Sequence, residues 1–342
     1  MKNSKKTTSI RDYLIKVLNG MALGLFSSLI IGLILKQIGI FLNIKLLVQF
    51  GQVAQFMMGP AIGAGVAYSL GASPLGIFAS TVAGAIGGQT ITVGEGGTFL
   101  ANIGEPVGAL LSSLLGVEAS KIIQGKTKVD IVLVPAVTII VGGVSGFYLA
   151  PFVAEFMTLL GKMINLATQQ QPVIMGILVS VLMGIILTLP ISSAAIGIAL
   201  GLDGLAAGAA IVGCATNMIG FAVASFRENG VGGLIAQGLG TSMLQIPNII
   251  KNPRIFIPPI LTSAILGPIS TVVFKMEGNK IGSGMGTSGL VGQFSTIEVM
   301  GSRGIFGIIL LHFVLPATIT FLISEYMRKK KWIKYGDMKL NN

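Results

Sequence analysis

Residues 46 to 94 and 163 to 202 contain no Asp, Glu, Lys or Arg. A bilayer core of about 30 Å is crossed by roughly 20 helical residues, so each run is long enough for two crossings. Charged residues make up 10% of the chain and hydrophobic ones 52%, with a mean hydropathy of +0.86. A soluble domain uses roughly 25% charged residues to stay in water. The expectation is an all-α integral membrane protein, a single polytopic domain over residues 1–342. Its 48 glycines argue for close helix packing and for broken helices, which lipid tolerates only where protein or a cavity satisfies the freed backbone groups.

Two stretches copy each other. Pro60, Ala64, Leu70, Gly71, Leu75 and Ala79 recur at a constant offset as Pro190, Ala194, Leu200, Gly201, Leu205 and Ala209. Val107, Gly108, Leu110, Leu115 and Gly116 then reappear as Val231, Gly232, Leu234, Leu239 and Gly240. The first repeat spans 54–118 and the second 184–242. Glu95 and Glu105 lie between the matched blocks of the first copy, Arg227 and Glu228 between those of the second. Paired, interrupted hydrophobic segments point to a mid-membrane binding site, because helix ends and unwound backbone there can face a polar ligand. The two copies count as running in the same direction, and one miscounted crossing inverts that relation.

Crossings are expected near 18–40, 46–70, 73–92, 106–122, 129–150, 172–190, 193–213, 231–250, 255–274 and 304–325, ten in all. Segments 94–105, 214–229 and 278–302 are left as Gly-rich hairpins that re-enter without crossing. Residues 151–171 read as an outer connection. Ile10, Tyr13, Leu14, Val17 and Leu18 share a helical face, which predicts a short surface helix bending into the first span near Gly20. The run Val17–Leu35 is too long for a signal-peptide core and reads as a retained helix.

The net charge of +11 is distributed as a topology signal rather than as a nucleic-acid footprint. Sixteen of the 23 Lys and Arg fall in the tails 1–16 and 326–342 and in the segments around Lys121–Lys128 and Lys251–Arg254. The positive-inside rule assigns all of these, and both termini, to the cytoplasm of a multi-pass cell-membrane protein. Anionic lipid attracts such clusters as well.

The first break holds Gln89, Glu95, Asn102 and Glu105 among glycines. A carboxylate at membrane depth costs roughly 2.5 to 3.5 kcal/mol, so burial of both glutamates calls for a compensating function; the alternative is an aqueous outer loop. In the second, Asn217 precedes Arg227 and Glu228, which as helix neighbours do not face each other. Arg227 could hold a carboxylate or phosphate, and Glu228 could accept hydroxyl protons; the alternative is an interfacial cluster capping the helix that follows. The third break carries Gly284, Gly286 and Gly289, a G-x-G-x-x-G by spelling, with Gln293 and Glu298 nearby. That fingerprint needs a βαβ unit, so no dinucleotide site is expected. A re-entrant loop offering backbone amides to a polar substrate fits better. His312, the only histidine, falls within the last span, either for substrate or proton contact or bonded to a neighbouring helix. Asp203 reads as a helix N-cap. Cys214, alone, supports neither a disulfide nor a thiolate metal site. No catalytic set, metal motif or cofactor motif is visible.

At GPAIGAGVAYSLGASPLGIFASTVAGAIGG, GEPVGALLSSLLG, GKTKVDIVLVP and GSGMGTSGLVGQ, the chain resembles the enzyme IIC family of the phosphoenolpyruvate-dependent sugar phosphotransferase system. It is especially similar to the single-domain branch that includes PfoR-type regulators. The resemblance covers essentially the whole chain. It implies an α-helical, usually dimeric permease in which a sugar or polyol bound at midplane is phosphorylated by separate IIB and IIA partners. It also implies sugar-binding roles for Glu105 or Glu95, and for Glu228 and His312. No phospho-acceptor domain is present, so a regulator of gene expression without net transport is one alternative reading. An ion-coupled carrier of an organic anion is another. Glu95, Glu105 and Glu228 are expected around one shared hollow.

Overall fold

The computed structural model describes residues 10–340, without the side chains of a few residues that include Glu95. The basic N-terminal residues 1–9 and the last two residues lie outside that range. The helices are α1 (Ile10–Leu25), α2 (Ile31–Phe41), α3 (Lys45–Phe56), α4 (Met58–Ser69) and α5 (Pro74–Gly87). A β-hairpin follows, β1 (Ile91–Val93) and β2 (Phe99–Ala101), and then α6 (Pro106–Ile123), α7 (Asp130–Thr168), α8 (Pro172–Thr188), α9 (Ser193–Ala199) and α10 (Gly204–Ala224). The chain ends through α11 (Phe226–Ile235), α12 (Ile246–Lys251), α13 (Ile257–Pro268), α14 (Val291–Met300), α15 (Gly304–Gly307) and α16 (Leu315–Lys329). Among the described residues, six helical stretches are long and apolar enough to cross a membrane, and α5 and α8 are shorter apolar helices.

A π-helical turn, Phe26–Ile30, joins α1 to α2 in one continuous rod. The rod does not bend into a separate surface helix at Gly20, which sits inside α1 for another reason. A Cβ on Gly20 would lie 2.3 Å from the Gly65 carbonyl oxygen of α4, and one on Gly65 would lie 2.1 Å from the Gly20 oxygen. The two backbones therefore touch, a contact that small residues permit where lipid supplies no hydrophobic drive. Val17, Met21 and Leu25, four apart, bury on the same face against Met58, Ile62 and Val66, as the 3.6-residue period requires.

The second half is built around α10, whose residues from Ala207 to Met218 are all buried. A helix apolar on every side belongs in a core, and α10 packs against α8, α13 and α16. It runs on to Ala224, so residues 214–224 are core helix rather than a hairpin. Asn217 does not break it, because its amide bonds Gly213 O at 3.0 Å and Ser263 Oγ at 3.2 Å. The expected outer connection 151–171 is likewise mostly helical, since α7 is continuous over 39 residues, about 58 Å at 1.5 Å per residue. The β-hairpin spans 91–101, with Ile91 opposite Ala101 and Val93 opposite Phe99, so segment 94–105 holds its turn and second strand.

The matched blocks fold alike at their turns. After α4, Ala72 N–H bonds Ala67 O and Gly71 N–H bonds Tyr68 O; after α9, Leu202 N–H bonds Gly197 O and Gly201 N–H bonds Ile198 O. Gly71 and Gly201 both take positive φ, +69° and +60°. This is the same glycine-terminated helix end at the same offset, with the left-handed residue that a side chain would strain.

Candidate functional site

Elements of both repeats wall one cavity of about 310 Å³. Its walls come from α2 and its π turn (Ile30, Leu33, Lys36), α3 (Gln55), the first break (Ile103, Gly104, Pro106), the segment between α8 and α9 (Ile191, Ser192) and the third Gly-rich segment (Met285, Ser288). Most of the lining is apolar, with a few polar groups among it, which is the usual make-up of a small-molecule site.

Glu105 is set beside this cavity by backbone constraints on both sides. Gly104 before it has φ +80°, and a Cβ there would lie 2.2 Å from the Gly88 oxygen; Glu105 N–H itself donates to Gly88 O at 2.8 Å. Glu105 is the N-cap of α6, accepting from Val107 N–H at 3.4 Å. Its carboxylate also faces the backbone N–H of Ser192. A side chain of the first repeat thus closes onto the unwound start of the second, between Leu189 and Ser193, with free lone pairs left for a ligand's hydroxyl protons.

The third Gly-rich segment is a packing device. A Cβ on Gly284 would meet Ser193 O at 2.2 Å, one on Gly286 the Ala215 N of α10 at 2.7 Å, and one on Gly289 the Leu33 side chain of α2 at 2.4 Å. The three glycines let one loop press on three helices at once, and so carry Ser288 to the cavity wall.

The other predicted residues are dispersed. Gln89 and Asn102 are exposed at the base of the hairpin, where Asn102 N–H bonds Thr90 O at 2.8 Å; the Glu95 side chain lies outside the described residues. Asn217 is wholly buried in the α10 core, where Thr188 Oγ1 approaches its oxygen at 3.5 Å. Glu298 is exposed and accepts from Asn279 Nδ2 at 2.9 Å. Gln293 Nε2 and His312 Nδ1 lie 3.0 Å apart in a buried pair, His312 on the π-helical turn Ile308–Val314. Neither lines the cavity.

Arg227 and Glu228 belong to another cluster. Arg227 Nη1 bonds both carboxylate oxygens of Glu325, at 3.0 and 3.1 Å, and Glu228 pairs with Arg328. The offset that places Val107 on Val231 places Glu105 on Asn229, whose Nδ2 donates to Met338 O at 2.9 Å and whose Oδ1 accepts from Leu340 N–H at 2.8 Å. Matched breaks therefore serve different partners, the cavity in the first copy and the C-terminal segment in the second. Glu105 and Glu228 do not share a hollow. Asp203 occupies the N-cap position of α10, but its carboxylate accepts from Lys280 N–H at 3.2 Å instead of capping.

Sequence reasoning missed Lys36, Gln55, Ser192 and Ser288. A signal existed for the first: Lys36 is the lone charge in the apolar helix IGLILKQIGIF, and an ionisable residue in such a helix marks a site by default.

No curated protein and no solved structure matches the chain. A family model described as "Phosphotransferase system, EIIC" matches residues 15–340. That span includes all the walls of the cavity and all three breaks, and the chain accordingly belongs to the phosphotransferase system EIIC family.

Proposed function

We propose that the chain is the membrane permease component of a sugar phosphotransferase system, taking a sugar or polyol into the cavity between its repeats and delivering it to the cytoplasm. The observation that carries this reading is the placing of Glu105, N-cap of α6, beside the unwound Ser192 segment at the edge of a cavity of about 310 Å³. It joins the two repeats at the place where a ligand would separate or bridge them. Glu105 accepts hydroxyl protons, and Gln55, Ser192 and Ser288 supply further polar contacts. In this proposal α5, α8 and the broken segments complete ten passages, both termini are cytoplasmic and the working unit is a homodimer. Phosphate reaches the sugar from separate IIA and IIB proteins.

Uptake of a labelled panel of sugars and polyols, in cells with and without the chain and with partner proteins supplied, tests the reading. Uptake that requires both the chain and phosphoenolpyruvate supports it. Failure of every member of the panel to bind or enter overturns it.

A further inference from the structure

Lys36 is the only formally charged residue in the cavity wall, and among the described residues it has no salt bridge or hydrogen bond. Beside it on the same wall are two buried groups that also lack partners. Gln55 Nε2, on a residue 4% exposed, and Ser288 Oγ, on a residue 3% exposed, are without a hydrogen-bond partner. Gln55 Nε2 and the lysine ammonium can only donate, and the hydroxyl can donate as well. The Glu105 carboxylate at the cavity's edge makes no salt bridge or hydrogen bond to any of the three. A buried polar group left unpaired costs about 1–3 kcal/mol; these two buried groups, with the partly exposed Lys36 ammonium on the same wall, call for an occupant rich in acceptors. Glu105, in contrast, is an acceptor whose hydrogen bond comes from Val107 N–H, and it is suited to hydroxyl protons.

We propose that the substrate is a polyhydroxylated monoanion carrying a carboxylate, that is, a sugar acid rather than a neutral sugar. Resting on the permease reading above, this assigns its carboxylate to Lys36, Gln55 and Ser288 and its hydroxyls to Glu105. A carboxylate fits better than a phosphate. Phosphate monoesters carry about −1.5 to −2 charges and are matched by clusters of arginine, whereas this wall offers one lysine and no arginine. A carboxylate also leaves the hydroxyls free to receive phosphate from a partner protein.

The test is equilibrium binding to the purified full chain in lipid nanodiscs. The probes are gluconate and glucuronate, their neutral counterparts sorbitol and glucose, glucose 6-phosphate, and succinate as an anion without hydroxyls. The sugar acids are expected to bind about tenfold or more tighter than their neutral counterparts. Lys36→Gln should erase that preference while leaving the weak binding of sorbitol or glucose in place, and Lys36→Arg should retain most of it. Tighter binding of the neutral sugars, or a preference unchanged in Lys36→Gln, overturns the inference and leaves the permease reading standing. Best binding of glucose 6-phosphate or succinate overturns the sugar-acid assignment. Absence of binding by any sugar, sugar acid or polyol to folded protein overturns both.

Discussion

Arg328 Nη2 lies 2.9 and 3.1 Å from the two carboxylate oxygens of Glu228, whose side chain is completely shielded from solvent. The same nitrogen donates to Ala224 O at the end of α10, and Gly336 N–H adds a second donor to the carboxylate. The pair ties the end of the core helix to α16 and to the chain that follows it. Burial makes such a pair costly to break even where forming it brings little net stability.

Glu228→Gln should therefore destabilise the protein by up to about 3 kcal/mol, because the Arg328 guanidinium keeps only its longer pairing with Glu325 at 3.9 Å. Arg328→Met should do the same in reverse. The double variant should be closer to the parent than either single one, since no uncompensated charge remains. Thermal unfolding in detergent or nanodiscs measures all three. Additive losses in the double variant would show that the two groups do not depend on each other.

The C-terminal segment is held by amides. Gln245 Nε2 donates to Met338 O and Asn248 Nδ2 to Lys339 O, each at 2.9 Å, and Asn252 Nδ2 reaches the Asp337 carboxylate at 2.7 Å. Ile333 and Met338 are each only 1% exposed, packed with Phe221 and Ile255. Truncation after Lys331 should unprotect the second break, with faster hydrogen exchange and proteolysis over residues 225–252. Unchanged protection there would mean the segment is a passenger.

Glu105→Gln should weaken binding of the transported ligand by about tenfold or more, because a hydrogen bond to a charged group contributes about 1.5–3 kcal/mol. Asp203→Asn should change affinity far less, its carboxylate being engaged with the Lys280 N–H on an exposed surface. Titration calorimetry on the two variants discriminates between them. Equal losses would show that the wrong carboxylate had been chosen.

Gly286→Ala should be strongly destabilising. Its φ is +53° and the added Cβ would meet the Cys214 carbonyl carbon and the Ala215 nitrogen at 2.7 Å, backbone that cannot turn aside. Gly232→Ala, at a helical site with open space around the would-be Cβ, should be neutral or stabilising by up to about 1 kcal/mol. Melting temperatures of the two variants give the comparison, and similar values would refute the packing role assigned to the third Gly-rich segment.

Membrane residence, helical class and interrupted segments were legible in residue order, because lipid forces long charge-free stretches into helices that bond their own backbones. The glycine-terminated turn at Gly71 fell in the gap between two expected crossings, whereas the matching turn at Gly201 lies inside the crossing expected over 193–213, which the structure divides into α9 and α10. Segment 214–224 was misread as well. Its polar Asn217 looks like a break in one dimension, and only Gly213 O and the Ser263 hydroxyl, 46 residues further along, make it a satisfied core group.

Which ionisable residues meet was beyond the sequence. Glu105 and Asn229 occupy matched positions, yet one reaches Ser192 beside the cavity and the other holds the backbone near Met338. Glu228, equally acidic and equally apolar in its surroundings, finds Arg328. Local composition sets the cost of placing a charge in apolar sequence and so marks where a partner is required. The identity of the partner depends on which helix ends packing brings together, and that depends on contacts between residues 87 to 109 apart, which only the tertiary structure decides.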